Sequence, residues 1–286
     1  GEELTVPYLD DERLRLPCKH RAALLRVWSI KSCLCIRCQR GVDETRLFAC
    51  AECEGGVRMV RWRHQKVGLA LDMKEKDMDS DTLEACDACG FGDMRAAEKS
   101  MLDAESELEK LYFAMERRPQ VIGDSDGQVL DAFFEQARFA CLHDGHWLLE
   151  RYYDLKNDHL QNTIGLFPFR PAVRMMSDRL ELIACAEGIL QCLWRFRGGV
   201  DPKALTLGQA LGWNLERLAG RHAALLRDGA RSQSRKDAEQ HRWEALRNYE
   251  LAYRELKWLY AKEDESRDLK GESHVTVFGK MKDLLA

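Results

Sequence analysis

The sequence predicts a mainly α-helical protein whose N-terminal third is held together by cysteine-bound metal. Three observations carry that expectation. Seven of the eleven cysteines fall into tight groups: Cys33, Cys35 and Cys38, then Cys50 and Cys53, then Cys86 and Cys89. From Phe91 onwards, apolar residues recur at helical spacing between short polar breaks. Of the 286 residues, 45% are hydrophobic and 32% charged, the balance of a folded globular chain and not of a disordered one.

The N-terminal elements come first. "HRAALLRVW" reads as a helix. Cys33-x-Cys35-x2-Cys38 brings three thiolates together and wants a fourth ligand. Cys18 and His20 are candidates, but both sit in a basic segment leading into that helix. A ligand from elsewhere, outside this chain included, is the better expectation. Cys50-x2-Cys53 and Cys86-x2-Cys89 are two knuckles, each presenting a pair of thiolates from a tight turn, so together they complete a tetrahedral four-cysteine zinc site. Such a closed site leaves no position for water, which makes the metal structural. Gly55 and Gly56 follow the first knuckle and Gly90 the second, where positive φ is often required. "VRMVRWRH" alternates as a strand, and "DMKEKDMDSDTLE" reads as a solvated acidic loop. The whole resembles a zinc ribbon with an extended hairpin. A redox dithiol would want its CxxC at a helix start in a βαβ setting, which this sequence lacks.

Arg58, Arg61, Arg63, His64 and Lys66, with Trp62 among them, form a basic strand best read as solvated and balanced by the acidic loop. A net charge of -4 and a pI near 6.1 argue against a general nucleic-acid binder. No apolar run approaches the roughly 20 residues of a membrane span. Paired CxxC units without a secretory signal point to metal in a reducing, intracellular compartment, cytoplasm or nucleus. The chain opens at "GEELTVPYLDDE" without Met, as if cut from something longer.

The helical region follows. "DMRAAEKSMLDAESELEKLYFAMERR" places Met94, Met101, Leu108, Leu111 and Met115 largely on one face, and stops at Pro119 and "IGDSDG". Further helices are expected at 127–142, 145–156, 170–197, 202–227, 235–263 and 275–285, with Asp201 as N-cap and Pro202 at the first helical position. Short breaks suggest stacked antiparallel hairpins. "NDHLQNTIGLF" and "GESHVTVFGKMKDLL" echo each other as a polar turn, a His and an amphipathic helix. His143, His146 and His159 are read as loop and turn histidines, with metal ligation the minor alternative. Cys141, Cys185 and Cys192 lie in helical apolar stretches and are read as buried free thiols. Aromatics such as Trp147, Trp194, Trp213 and Tyr249 fit a core, and "WEALRNYELAYRELKWLYAKE" also suggests a partner-facing surface.

"GEELTVPYLDDERLRLPCKHRAALLRVWSIKSCLCIRC" resembles the end of a SET domain running into its post-SET cysteine loop, closest to the SET- and MYND-domain protein lysine methyltransferases. The resemblance implies that Tyr8 stands at the catalytic tyrosine of the methyl-transfer channel. It implies that Cys33, Cys35 and Cys38 are post-SET zinc ligands whose fourth partner comes from the SET core, upstream of Gly1. The helical echo is similar to the tetratricopeptide-like C-terminal half of those enzymes. The division it implies is 1–46 for the end of SET and its cysteine loop, 47–91 for the zinc ribbon and 92–286 for the helical domain. Pro7 departs from the small or polar residue usual before the tyrosine. The S-adenosylmethionine-binding glycine motif, the asparagine-histidine motif and the MYND finger are absent from the sequence. Methyl transfer needs cofactor and lysine preorganised together. The chain alone is therefore expected to be inactive, to bind S-adenosylmethionine only beside an upstream SET core, and to act through protein partners or a protein substrate. A non-catalytic, zinc-bound helical scaffold of a larger complex is the alternative.

Overall fold

The computed structural model describes residues 9, 11–28, 30, 36–61, 81–92, 95–117, 124–166, 172–199, 205–229, 234–260 and 274–285. Tyr8, Cys33, Cys35, Trp62, Arg63, His64, Lys66, Asp201 and Pro202 lie outside them. The described residues are mainly helical, in the order α1 (Asp11–Leu14), α2 (Cys18–Val27), α3 (Ile36–Gln39), β1 (Val42–Ala49), β2 (Val57–Arg61), α4 (Arg95–Glu116), α5 (Asp124–Phe139), α6 (Trp147–Leu166), α7 (Ala172–Gly199), α8 (Leu205–Gly229), α9 (Arg235–Tyr260) and α10 (His274–Leu285). Two compact units divide the chain: residues 1–119 with 131–151, and residues 120–130 with 152–286.

In the first unit β1 and β2 form an antiparallel hairpin, paired from Ala49↔Val57 to Val42↔Arg61 with an irregularity between Asp43 and Leu47. Both outer edges are extended by short pieces of chain. Residues 82–87 run along β2, with Arg61 N–H donating to the Thr82 carbonyl and Asp87 N–H to the Val57 carbonyl. Residues 141–143 run along β1 through Ala49 N–H to the Cys141 carbonyl and His143 N–H to the Leu47 carbonyl. Covering both edges removes most of the unpaired backbone a two-stranded ribbon exposes. The second edge piece is delivered by the end of α5. Leu142 N–H reaches the Ala137 carbonyl and Cys141 N–H the Arg138 carbonyl, a Schellman closure with Cys141 at φ 55 in the left-handed position. Cys141 thus sits half-buried in a turn, whereas Cys185 and Cys192 are buried thiols on α7.

β1 was not evident in the sequence because its charged residues point inward. Arg46 is 3% exposed and donates to both carboxylate oxygens of Glu105 on α4, at 2.8 and 2.6 Å, and to Asp81 at 2.6 Å. His146 faces the same Glu105 at 3.3 Å, accepts the Leu148 N–H at 3.1 Å and so caps α6. Burial opposes the Glu105 charge, but Arg46 and His146 outweigh it and hold the carboxyl below the usual range. Phe48 and Trp147 pack beside this network.

In the second unit, Ile183, Ala186, Ile189, Leu190 and Leu193 line one face of α7, and Leu211, Leu215, Leu218, Ala219 and Leu225 one face of α8. Tyr249, Ala252 and Leu256 on α9 and Val277 on α10 complete that core. These are the i, i+3, i+4, i+7 stripes that make a helix bury one side. Gly212 lies against Leu256, and His222 against His241, so α8 and α9 run antiparallel. The expected turn at "NDHLQNTIGLF" is not a turn, for α6 continues to Leu166. Asn157 is buried within it, its side-chain oxygen accepting from Arg221 and Gln161. α5 likewise begins at Asp124, inside the segment expected to be a loop.

Candidate metal centre

Cys50 directly follows β1 and Cys53 stands in the turn before β2, while Cys86 and Cys89 stand at the end of the edge piece 82–87. The antiparallel pairing therefore delivers both knuckles to one end of the sheet. Their four Sγ atoms lie within 4.8 Å of one another, a group able to hold a metal ion. Cys50 and Cys89 sulfurs are 3.7 Å apart, and Cys53 and Cys86 sulfurs 3.6 Å. A zinc tetrathiolate with bonds of about 2.3 Å has sulfur–sulfur edges of about 3.8 Å, so the donor set fits that ion. The same separations are far longer than the roughly 2.05 Å of a disulfide.

Each knuckle is held by backbone. Cys50 N–H donates to the Gly56 carbonyl at 2.9 Å, Cys86 N–H to the Phe91 carbonyl at 2.8 Å, and Gly90 N–H to the Cys86 carbonyl at 3.0 Å. Gly55 and Gly90 have φ of 80° and 71°, the left-handed conformation expected of them. Gly56 serves differently. A Cβ there would stand 2.5 Å from Cys53 Sγ and closer still to Cys86 Sγ, so the sulfurs converge only over a glycine. Asp87 fastens the second knuckle to β2, accepting the Val57 N–H at 2.7 Å.

The surroundings act on these thiols in opposite directions. Backbone N–H groups of Cys89 and Ala88 hold the Cys86 thiol down at about 6, while contact with Cys89 and Cys86 pushes Cys53 up to about 12. A cation bound among them removes the cost of gathering four negative charges.

The remaining candidate residues separate from this group. Cys38 lies on α3 beside Cys18, apart from the four-cysteine group. The three histidines do not assemble: Gly145 N–H donates to His143, His146 faces Glu105, and His159 lies near Gly127. Among the described residues, the four cysteines are the group that can hold a metal. Arg58 is not the solvated residue expected. It is 4% exposed, donating to Glu98 and to the Glu84 carbonyl, because the edge piece and α4 enclose β2 on that side. Arg61 stays exposed and pairs with Glu84 at 2.6 Å.

No protein-family model matches the chain, and no curated protein matches it. No helix among the described residues is long and apolar enough to cross a membrane.

Proposed function

We propose that this chain is a zinc-stapled helical region that binds protein, inactive in methyl transfer by itself and related to the C-terminal part of a SET-domain protein lysine methyltransferase. The observation that carries the reading is the closed four-sulfur group of Cys50, Cys53, Cys86 and Cys89. Four thiolates fill a tetrahedral ion, leaving no position for a water or substrate, so the ion staples a zinc ribbon and performs no chemistry. Four-sulfur tetrahedral sites take zinc or iron. Zinc suits a fixed structural role because it has no redox chemistry of its own.

The methyltransferase parentage is supported by the sequence, through "GEEL" before Tyr8 and the CxCxxC spacing of Cys33, Cys35 and Cys38. Tyr8 would line the lysine channel, and S-adenosylmethionine would bind only with an upstream SET core. The partner surface is supported by the helical part, where a tetratricopeptide-like stack would present side chains such as Trp243. That residue is 56% exposed on α9, with the Arg247 guanidinium over its ring at 5.3 Å. A scaffold subunit without methyltransferase parentage keeps the same staple and the same surface.

Elemental analysis together with S-adenosylmethionine titration calorimetry tests the reading. The expected result is bound zinc, no iron, and no heat of cofactor binding by this chain. Bound iron would overturn the staple's assignment, and cofactor binding would overturn the inactive role.

A further inference from the structure

The four sulfurs of the candidate metal centre are not equally reachable. Among the described cysteines Cys89 is the exposed one, while Cys50 and Cys53 are half-buried and Cys86 is buried. Gly56 divides the group into two edges. A Cβ there would meet the sulfurs of Cys53 and Cys86 and, at 3.3 Å, the Ala88 methyl. The 3.6 Å edge between Cys53 and Cys86 is therefore the covered one. The 3.7 Å edge between Cys50 and Cys89 is the open one.

Backbone donors reinforce the division. The Cys86 sulfur accepts N–H groups from both Cys89 and Ala88, whereas Cys89 accepts from Phe91 and Cys50 from Glu52, at 3.4 Å. An N–H aimed at a thiolate draws off electron density and makes it a weaker nucleophile. The attacking species is the thiolate, and metal binding keeps ligand sulfur deprotonated. Cysteine oxidation follows thiolate character and exposure together. Cys89 combines the two, and the Cys50 sulfur stands next to it to close a disulfide.

We propose that Cys89 is a peroxide-oxidation site with Cys50 as its resolving thiolate, so that a hydroperoxide joins this pair and frees the ion. The inference rests on the reading of the four cysteines as a zinc staple and adds a control to it. The Cys89 sulfur attacks one oxygen of hydrogen peroxide. An S–O bond forms, the O–O bond breaks, and the departing hydroxide takes a solvent proton to become water. The Cys50 thiolate then attacks the sulfenic sulfur. An S–S bond forms, the S–O bond breaks, and a second proton turns that hydroxide into water. Two electrons pass from sulfur to oxygen. Cys53 and Cys86 remain as two of the four thiolates that a structural zinc site needs. A small-molecule thiol restores the pair by exchange.

The test treats the zinc-loaded, 286-residue chain with one equivalent of hydrogen peroxide. A chromophoric chelator reads released zinc, and non-reducing peptide mapping reads the sulfurs. A Cys50–Cys89 disulfide should appear in step with zinc release, and a thiol with fresh zinc should reverse both. Histidine is also a tetrahedral zinc ligand, so it replaces each cysteine of the open edge in turn. Cys89→His should keep zinc and slow its release by on the order of tenfold. Cys50→His should keep zinc and stop at a sulfenic acid on Cys89, trapped by a 1,3-diketone. Where a histidine variant takes up no zinc, the wild-type map decides. A disulfide joining any other pair of the four, or release from Cys89→His at the wild-type rate, overturns the inference and leaves the staple standing. Zinc retained by wild type under excess peroxide does the same. An untreated chain that binds no zinc overturns the staple itself.

Discussion

The two units hold themselves together by different means. In the first, Arg21, Asp43, Arg46, Arg58, Glu98, Glu105, His146 and Glu150 are all buried, so much of its interior is ionic. In the second, the buried polar residues among those described are Asn157, His222 and Asn248, set in a core of leucine, isoleucine and alanine. A buried ion pair gains in mutual attraction little more than it loses in desolvation. Aliphatic burial has no such opposing term, at about 25 cal/mol per Å² removed from water. The first unit is therefore expected to depend more on a further bond than the second does. Metal held by Cys50, Cys53, Cys86 and Cys89 would supply it, with an apparent ~10–16 kcal/mol in modules of this kind.

Substitutions can break that contrast from either side. The largest effect is expected from Gly56→Ala, because its Cβ would occupy the space in which Cys53 and Cys86 sulfurs meet. Metal affinity should fall by orders of magnitude, read by competition with a chromophoric chelator, while the second unit keeps its helical circular dichroism. Glu105→Gln comes next. It removes the charge of the buried one of the two carboxylates that face Arg46, Asp81 remaining, so the loss should fall towards the low end of the about 3–5 kcal/mol of a broken buried pair. Urea unfolding followed through Trp147, which packs in the first unit, should show the loss. Leu256→Ala is the matching test of the second unit. It truncates a fully buried side chain seated on Gly212, and should cost about 2–5 kcal/mol without changing metal content. An equal loss of metal in that variant would show that the units do not stabilise separately.

Acid gives the smallest and most selective effect. Burial, followed by the neighbouring His241, pulls His222 down from 6.5 to about 4. Between those values the unfolded chain binds a proton that the folded chain refuses. The contribution of this residue is thus complete above pH 6.5 and is lost as pH falls towards 4. Glu187 acts with the opposite sign, since burial and Glu244 raise its carboxyl. The comparison is therefore between wild type and His222→Gln. The variant should lose less stability than wild type over this window, by on the order of a few kcal/mol at most. Equal slopes would mean that His222 is not held neutral by the fold.

What was legible in the sequence follows the same division. Helices α4 and α7 to α10 were readable because a periodic apolar stripe is a local pattern that persists after folding. The four metal-site cysteines were readable because CxxC spacing states the geometry directly. β1 was obscured because Arg46 and Asp43 read as solvent-facing, and the partner that buries Arg46, Glu105, is distant in sequence. The continuation of α6 through Asn157 was hidden for the same reason, its partner Arg221 lying on α8. Gly56 stands beside the knuckle, where the sequence suggests a need for positive φ, but its role in the structure is proximity to two sulfurs. The basic neighbours of Cys18 in the sequence argue against it as a metal ligand. Those surroundings include Arg21, which donates to its sulfur.

The most direct measurement of the central claim is stepwise chelation of the full chain, followed by far-ultraviolet circular dichroism and by amide hydrogen exchange at β1, β2 and residues 82–87. The account predicts that stripping the metal from Cys50, Cys53, Cys86 and Cys89 abolishes exchange protection along β1, β2 and residues 82–87. Protection along α7, α8 and α9 should remain. Retained protection in the hairpin after the last metal ion has left would contradict it, as would simultaneous loss of protection in both units.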